Sequence, residues 1–165
     1  MKTYSQETKD IRFRDIVLII VRANLIINIW IMLLAISMLA LTKRVYVVGW
    51  FLLILFFGYI LSFSLHEYMH IWCMRRNGIK NVEIEITLLK FSIKTYEKLE
   101  GCKLVITAMS GPIVCFFVGV VIELLGKWIG NRFLEFGSVL YLLQIVNILP
   151  FWGDGKMIIK GVLTL

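Results

Sequence analysis

Charged residues are scarce in this chain of 165 residues: Asp, Glu, Lys and Arg make up 18% of it, and hydrophobic residues 59%. Soluble domains are usually about half apolar and about a quarter charged. The shortage of charge therefore argues against a soluble globular protein and favours one that lies in a lipid bilayer. At this length we expect a single domain covering residues 1–165.

Cysteine and proline are also too few for several kinds of architecture. Cys73, Cys102 and Cys115 form an odd set without a Cys-x-x-Cys pair, which argues against a disulfide framework. We expect them to be small hydrophobic residues. The chain has two prolines and no low-complexity tract, so no flexible linker between domains is expected.

Long hydrophobic runs, by contrast, are plentiful. Four stretches approach the roughly 20 apolar residues that are needed to cross a bilayer. They predict an all-α integral membrane protein with about four transmembrane helices, over residues 16–42, 45–72, 104–125 and 136–153. We interpret the first as a retained span and not a signal peptide, because its apolar core is too long and no cleavage site follows. Pro150 predicts a break near the end of the fourth.

The net charge of +7 is distributed unevenly along the chain. If the four spans alternate, one side keeps only Lys43, Arg44, Lys127 and Arg132, and the other 14 of the 18 Lys and Arg residues share the opposite side. Because cytoplasmic loops carry such an excess, we expect a multi-pass protein of the cell membrane with both termini in the cytoplasm. The basic excess is expected to attract anionic headgroups of the lipid bilayer, and no nucleic-acid partner is expected.

Residues 81–96 differ from the rest of the chain. Apolar residues from Val82 to Leu88 alternate with polar ones, which predicts one or two strands in a small cytoplasmic-side β hairpin between helices 2 and 3. The edge of such a hairpin could bind an extended peptide by strand addition, and a purely structural flap explains the pattern equally well. Asn77-Gly78 predicts a turn. Residues 1–15 are expected to form a short interfacial segment.

The only two histidines of the sequence, His66 and His70, are four residues apart and flank Glu67. On a helix this spacing places both imidazoles on one face. Two imidazoles and a third ligand leave one position of a tetrahedral Zn²⁺ open for water, whose pKa the ion lowers toward neutrality. Glu67 can accept the proton of that water and pass it to a leaving amine. The pattern therefore predicts a zinc site with Glu67 as the catalytic base.

The third ligand is expected where the fourth span ends. Asp154 is the only acidic residue in that span and its C-terminal flank, and a carboxylate is an ordinary partner of two imidazoles on zinc. Pro150 favours irregular backbone, which is tolerated at membrane depth where it lines a wet cavity. Asn147 is predicted to orient a substrate carbonyl. A simple helix stop with a capping acid is the alternative interpretation, and Ser110-Gly111-Pro112 is expected to have a packing role.

Three motifs, His66-Glu67-x-x-His70, Ser110-Gly111-Pro112 and Asn147-x-x-Pro150 followed by Asp154-Gly155, together resemble the site-2 protease family of intramembrane zinc metalloproteases. The resemblance covers about residues 45–156. It implies that His66, His70 and Asp154 bind zinc, that Glu67 is the general base, and that the active site lies on the cytoplasmic side. It also implies a membrane-bound peptide or single-span protein as the substrate. Without a PDZ or CBS-like domain, the chain resembles a minimal catalytic core.

Two alternatives stay open beside this zinc metalloendopeptidase. A different membrane-anchored zinc peptidase would take its third ligand from Glu123 or Glu135, which the predicted topology places at the opposite face. The interval from Pro150 to Asp154 is one residue shorter than the family pattern, and Lys156 replaces a glycine. These departures keep open a non-catalytic membrane partner protein of the same fold. The sequence does not define the oligomeric state.

Overall fold

The structure, a computed structural model, describes residues 2–23, 25–42, 45–86, 91–95 and 97–165. The chain is mostly helical, with one small antiparallel sheet. The helices are α1 (Phe13–Ala23), α2 (Leu25–Thr42), α3 (Val45–Leu53), α4 (Leu61–Arg76), α5 (Gly101–Ile129), α6 (Arg132–Leu142) and α7 (Gly153–Leu163). A π-helical segment, Ile54–Ile60, joins α3 to α4, and a 3₁₀ segment, Leu143–Ile148, continues α6.

The sheet has three strands, β1 (Lys2–Glu7), β2 (Asn81–Ile86) and β3 (Phe91–Thr95), in the order β1-β2-β3. The predicted strands in residues 81–96 are confirmed as β2 and β3, which pair from Val82 with Thr95 to Ile86 with Phe91. The connection at 87–90 lies outside the described residues. Residues 2–7 of the predicted interfacial segment form β1, which pairs with β2 along its whole length. The backbone of a polar strand can satisfy its hydrogen bonds in this way without an apolar pattern.

A hydrophobic core joins this sheet to α1 and α4. Its buried residues share a β-branched aliphatic side chain and are Ile11, Ile16, Ile20, Ile71, Ile79, Val82 and Ile84. The N-terminal segment is also held by polar contacts: Thr8 Oγ1 donates to the Ile79 carbonyl (2.7 Å), and the Arg75 guanidinium donates to the carbonyls of Thr8 and Ile11. The sheet is therefore fixed at the C-terminal end of α4, where Gly78 (φ +88°) forms the predicted turn.

An antiparallel pair formed by α5 and the α6–α7 region makes up the rest of the fold, and glycines let the two come close. A Cβ on Gly126 would lie 3.0 Å from the Glu135 backbone nitrogen, and one on Gly119 would lie 3.0 Å from that of Leu142. At the other end, a Cβ on Gly161 would lie 3.1 Å from the Gly101 carbonyl oxygen. Small residues at such positions allow close helix packing in membranes.

Two described helical regions, not the predicted four, are long and apolar enough to cross a membrane. They are Gly101–Ile129, with mean hydropathy 2.4, and Arg132–Leu163, with mean hydropathy 1.5. The predicted span 16–42 is divided between α1, which buries one face against the core, and α2, which has 18 residues. The predicted span 45–72 is divided among α3, the π-helical segment and α4.

The predicted break at Pro150 is confirmed, because the helix becomes 3₁₀ at Leu143 and ends at Ile148. The chain then starts a new helix, α7, that the sequence analysis did not predict. Near its end, Thr164 Oγ1 accepts a hydrogen bond from the Gly101 backbone N–H (2.9 Å). The C-terminal end of the chain thus lies at the N-terminal end of α5.

Candidate metal centre

Helix α4 carries His66 and His70 on one face, as their spacing requires. Both side chains are buried, and their ring centroids are 4.7 Å apart. The helix begins after the π-helical segment, and its C-terminal end at Asn77 is closed by backbone hydrogen bonds to the carbonyls of Cys73 and Met74. Both histidines therefore lie inside the helix and not at either of its ends, so the helical backbone fixes their positions.

Asp154 reaches the histidines because the chain turns tightly before α7. The Trp152 N–H donates to the Leu149 carbonyl (3.0 Å), and the Lys156 N–H donates to the Trp152 carbonyl (3.1 Å). A Cβ on Gly155 would lie 1.9 Å from the Leu149 carbonyl oxygen, so only glycine fits there. This turn places Asp154 in the first turn of α7, and the short Pro150–Asp154 interval still brings its carboxylate to α4.

The three side chains meet in one group, in which both histidines are buried and Asp154 is 22% exposed. His66 Nε2 lies 2.9 Å from Asp154 Oδ2 and 3.0 Å from His70 Nε2, and His70 Nε2 lies 3.4 Å from Asp154 Oδ1. One ligand atom from each residue lies within 4.8 Å of the others, so the group could hold a metal ion. The sequence interpretation named these three residues, and the structure brings all three together.

Two different contacts orient the imidazoles. His70 Nδ1 lies 2.8 Å from the Thr107 carbonyl, so that this nitrogen carries the proton and Nε2 is left to bind. Thr107 is held in turn, since its hydroxyl accepts a hydrogen bond from Asn77 Nδ2 (3.1 Å). His66 stacks on the Phe63 ring, with centroids 6.5 Å apart and planes at 13°. Its buried Nδ1 has no hydrogen-bond partner among the described residues.

The sequence analysis did not predict the roles of Thr107 and Asn77 at the site. Asn77 was assigned to a turn, and it does end α4. Its second contact, to Thr107 on α5, joins residues 30 positions apart and depends on how the two helices pack. The predicted packing role of Ser110-Gly111-Pro112 is confirmed: Ser110 Oγ donates to the Met69 carbonyl on α4 (3.2 Å), and both Gly111 and Pro112 are buried.

Glu67 stands on the same helix turn as His66 and is partly buried. Its carboxylate is close enough to His66, His70 and Asp154 for their charges to interact. Glu67 is not one of the three grouped residues. Among the described residues, its carboxylate makes no hydrogen bond and no ion pair. Glu67 is therefore beside the group and available to exchange a proton with a molecule bound there.

The other predicted site residues lie in different places. Asn147 is in the 3₁₀ segment, and its Nδ2 donates to Gln144 Oε1 (2.9 Å), which leaves the second N–H of the amide for a ligand. Glu123 is hydrogen-bonded to Ser138 (2.6 Å) and ion-paired with Lys127 (3.0 Å). It lies 12 residues beyond Gly111, about 18 Å along α5. Glu135 packs against Gly126, near the same distant end.

The geometry of the group fits a small metal ion. Ligand atoms bound at ~2.0–2.2 Å in a tetrahedron lie roughly 3.3–3.6 Å apart. The separations of 2.9 and 3.0 Å need to widen by roughly 0.3–0.7 Å to match this spacing, and the separation of 3.4 Å already matches it. Two imidazole nitrogens and one carboxylate oxygen leave a fourth position for water or a substrate. Comparison with protein-family models, with curated proteins and with solved structures finds no match to this chain.

Replacing Gly111 with alanine is expected to weaken metal binding about 10- to 100-fold, as changes to residues that support metal ligands typically do. The added Cβ would lie 2.8 Å from His70 Nε2 and 2.8 Å from the His66 carbonyl oxygen. Because a backbone carbonyl cannot turn aside as a side chain can, α4 and α5 must separate or the His70 ring must move. Metal affinity of the purified variant, measured by competition with a chromogenic chelator, tests this expectation.

Gly137→Ala is the matched control, since Gly137 is also helical and a Cβ there would meet nothing within 4 Å. Alanine is the better helix former by about 1 kcal/mol, so this variant should fold at least as well as the wild type. Equal metal affinity in both variants and the wild type would contradict the close contact between Gly111 and His70.

Proposed function

We propose that this chain is an integral-membrane zinc metalloendopeptidase that hydrolyses a peptide bond in a membrane-bound peptide or protein. The observation that carries the proposal is the close approach of the buried His66 and His70 on α4 to Asp154 on α7. Their donors are the types that zinc takes in hydrolytic sites. Zinc bound there would polarise a carbonyl and lower the pKa of a bound water.

The residues of the site would then have separate roles in metal binding, proton transfer and substrate binding. His66, His70 and Asp154 hold the ion, and the Thr107 carbonyl keeps the His70 Nε2 directed at it. Glu67 takes a proton from the attacking water and gives it to the leaving amine, which needs a carboxylate beside the ligands but not bound as one. Asn147 would donate its second amide hydrogen to a substrate carbonyl.

Membrane residence is supported by where the apolar surface lies. In the most apolar 18-residue windows of Gly101–Ile129 and Arg132–Leu163, only 33% and 11% of residues are buried within the protein. A core helix of a soluble protein would bury most of such a window. Exposed aromatic and aliphatic side chains, among them Ile106, Phe117 and Leu124 at 59–63% exposure, suit contact with lipid.

We further propose that the metal group faces the cytoplasm. β1 pairs with β2, and Thr164 contacts Gly101, so the N-terminal strand, the sheet and the C-terminal end share the end of α5 nearest the metal group. The basic residues are concentrated in these same segments, as cytoplasmic segments require. β3 lies at one edge of the sheet, where an unwound substrate could pair by strand addition.

Metal removal gives the direct test. We expect the purified protein to cut at least one of a set of single-span membrane peptides, to lose that activity after chelation, and to regain it when zinc is restored. Stoichiometric zinc without any cleavage would instead support a non-catalytic membrane partner protein. Cleavage that persists after complete removal of metal would contradict the proposal.

A further inference from the structure

A cavity lies at the end of α5 that is distant from the metal group. Its volume is about 710 Å³, within the range of small-molecule sites. The walls are apolar and come from two parts of the chain: Trp50 and Ile54 on one side, Ile129, Phe133 and Phe136 on the other. The Trp50 and Phe133 rings are 4.8 Å apart between centroids. Such a cavity suits a hydrocarbon chain.

One positive charge lies at this mostly apolar cavity. Arg132, which lines it, is exposed and is the first residue of α6. Among the described residues, Lys127 at the same end is neutralised by Glu123 at 3.0 Å, whereas no acid pairs with Arg132. Asn131 is engaged elsewhere, because its Oδ1 accepts the Phe133 N–H. The guanidinium is therefore available for an anion, and guanidinium binds phosphate well.

The position along α5 indicates where the cavity sits relative to a bilayer. Twenty-nine helical residues extend about 43 Å, which exceeds the ~30 Å hydrocarbon core. In the membrane placement proposed above, the end of α5 beside the sheet lies at one interface, so the distant end reaches the headgroup region on the other side. Trp128, 83% exposed beside the cavity, is of the residue type that is enriched at this level.

We propose that this cavity binds one anionic phospholipid, with its phosphate on Arg132 and an acyl chain along Trp50, Phe133 and Phe136. Among the described residues no acid neutralises Arg132. A lipid headgroup with a net negative charge is therefore favoured over a zwitterionic one, which carries its own cation. A free phosphate would leave the apolar walls uncovered. The site is independent of the metal group and of its proposed reaction.

Lipid binding to the full chain in detergent can be measured by native mass spectrometry with phosphatidylglycerol and phosphatidylcholine of identical acyl chains. We expect phosphatidylglycerol to bind about fivefold more tightly than phosphatidylcholine, because that is the gain in affinity that one basic residue typically provides near an anionic membrane surface. Arg132→Gln should remove this preference. Arg22→Gln, which changes another exposed arginine at the end of α1, should keep it.

A matched pair of phenylalanine substitutions tests the apolar wall of the cavity. Phe136 and Phe117 are both 63% exposed on apolar helices, but only Phe136 lines the cavity. Phe136→Ala should weaken binding of both lipids, and Phe117→Ala should not. Equal binding of the two lipids by the wild type, or equal losses in Arg132→Gln and Arg22→Gln, would overturn the proposal. Displacement of the lipid by soluble glycerol phosphate would also overturn it, since that result indicates a simple anion site.

Discussion

Replacing Glu67 with glutamine is expected to reduce peptide cleavage by about 10³-fold or more while the bound metal remains. General acid–base catalysis by a positioned side chain typically contributes 10²–10⁴-fold, and here one carboxylate would serve as base and then as acid. Glutamine keeps the size and shape of glutamate but has no carboxylate to take up a proton. Because Glu67 is not among the grouped residues, the metal content should stay near one ion per chain.

The measurement needs both a cleavage rate and a metal count on the same purified sample. Glu100→Gln is the matched control, since Glu100 is exposed before α5 and makes no capping hydrogen bond. It should retain wild-type values of both quantities. Full cleavage by Glu67→Gln would refute the base assignment, and loss of metal in that variant would indicate that Glu67 is itself a ligand.

Local sequence patterns predicted the parts of the site that depend on one helix or one turn. The spacing of His66 and His70 defines a shared face, and Asn77-Gly78 ends the helix that carries them. The alternation in residues 81–96 predicted β2 and β3 for the same reason, because each face of a strand repeats every second residue. These features follow from periodicity, and the structure confirms them.

Features that depend on packing between distant segments were harder to predict. Residues 2–7 have no apolar alternation, and β1 forms only because β2 offers it an edge. The support of His70 by Thr107 depends on the approach of α5 to α4, which Gly111 permits. Hydropathy did not predict that the apolar stretches 16–42 and 45–72 are divided into separate helices, as at α1 and α2.

Asp154 was the correct partner for the histidines, although its setting differs from the prediction. It was expected to close the fourth span, whereas it opens the separate helix α7 after a turn at Leu149–Trp152. The absence of any other acid nearby in sequence identified it without knowledge of that turn. Its role as a metal ligand stays a prediction, and a substitution can decide it.

Replacing Asp154 with alanine is expected to lower metal affinity by more than about 100-fold, so that the purified protein carries little zinc. Changing a residue that only supports a ligand typically costs 10- to 100-fold, and removal of the ligand itself should cost more. Two imidazoles alone would leave two positions of a tetrahedral ion to water. Asp154→Asn should show the same loss with nearly unchanged shape, which separates ligation from folding.

Glu135→Ala distinguishes this assignment from a peptidase with a different third ligand. Glu135 packs beside Gly126 near the distant end of α5, so its loss should leave the zinc content unchanged. Zinc measured by elemental analysis, with cleavage assayed on the same samples, separates the two cases. If Glu135→Ala lost zinc while Asp154→Ala kept it, the meeting of α4 and α7 would have no role in metal binding. If Asp154→Ala alone loses zinc, the turn that Gly155 permits is what completes the site.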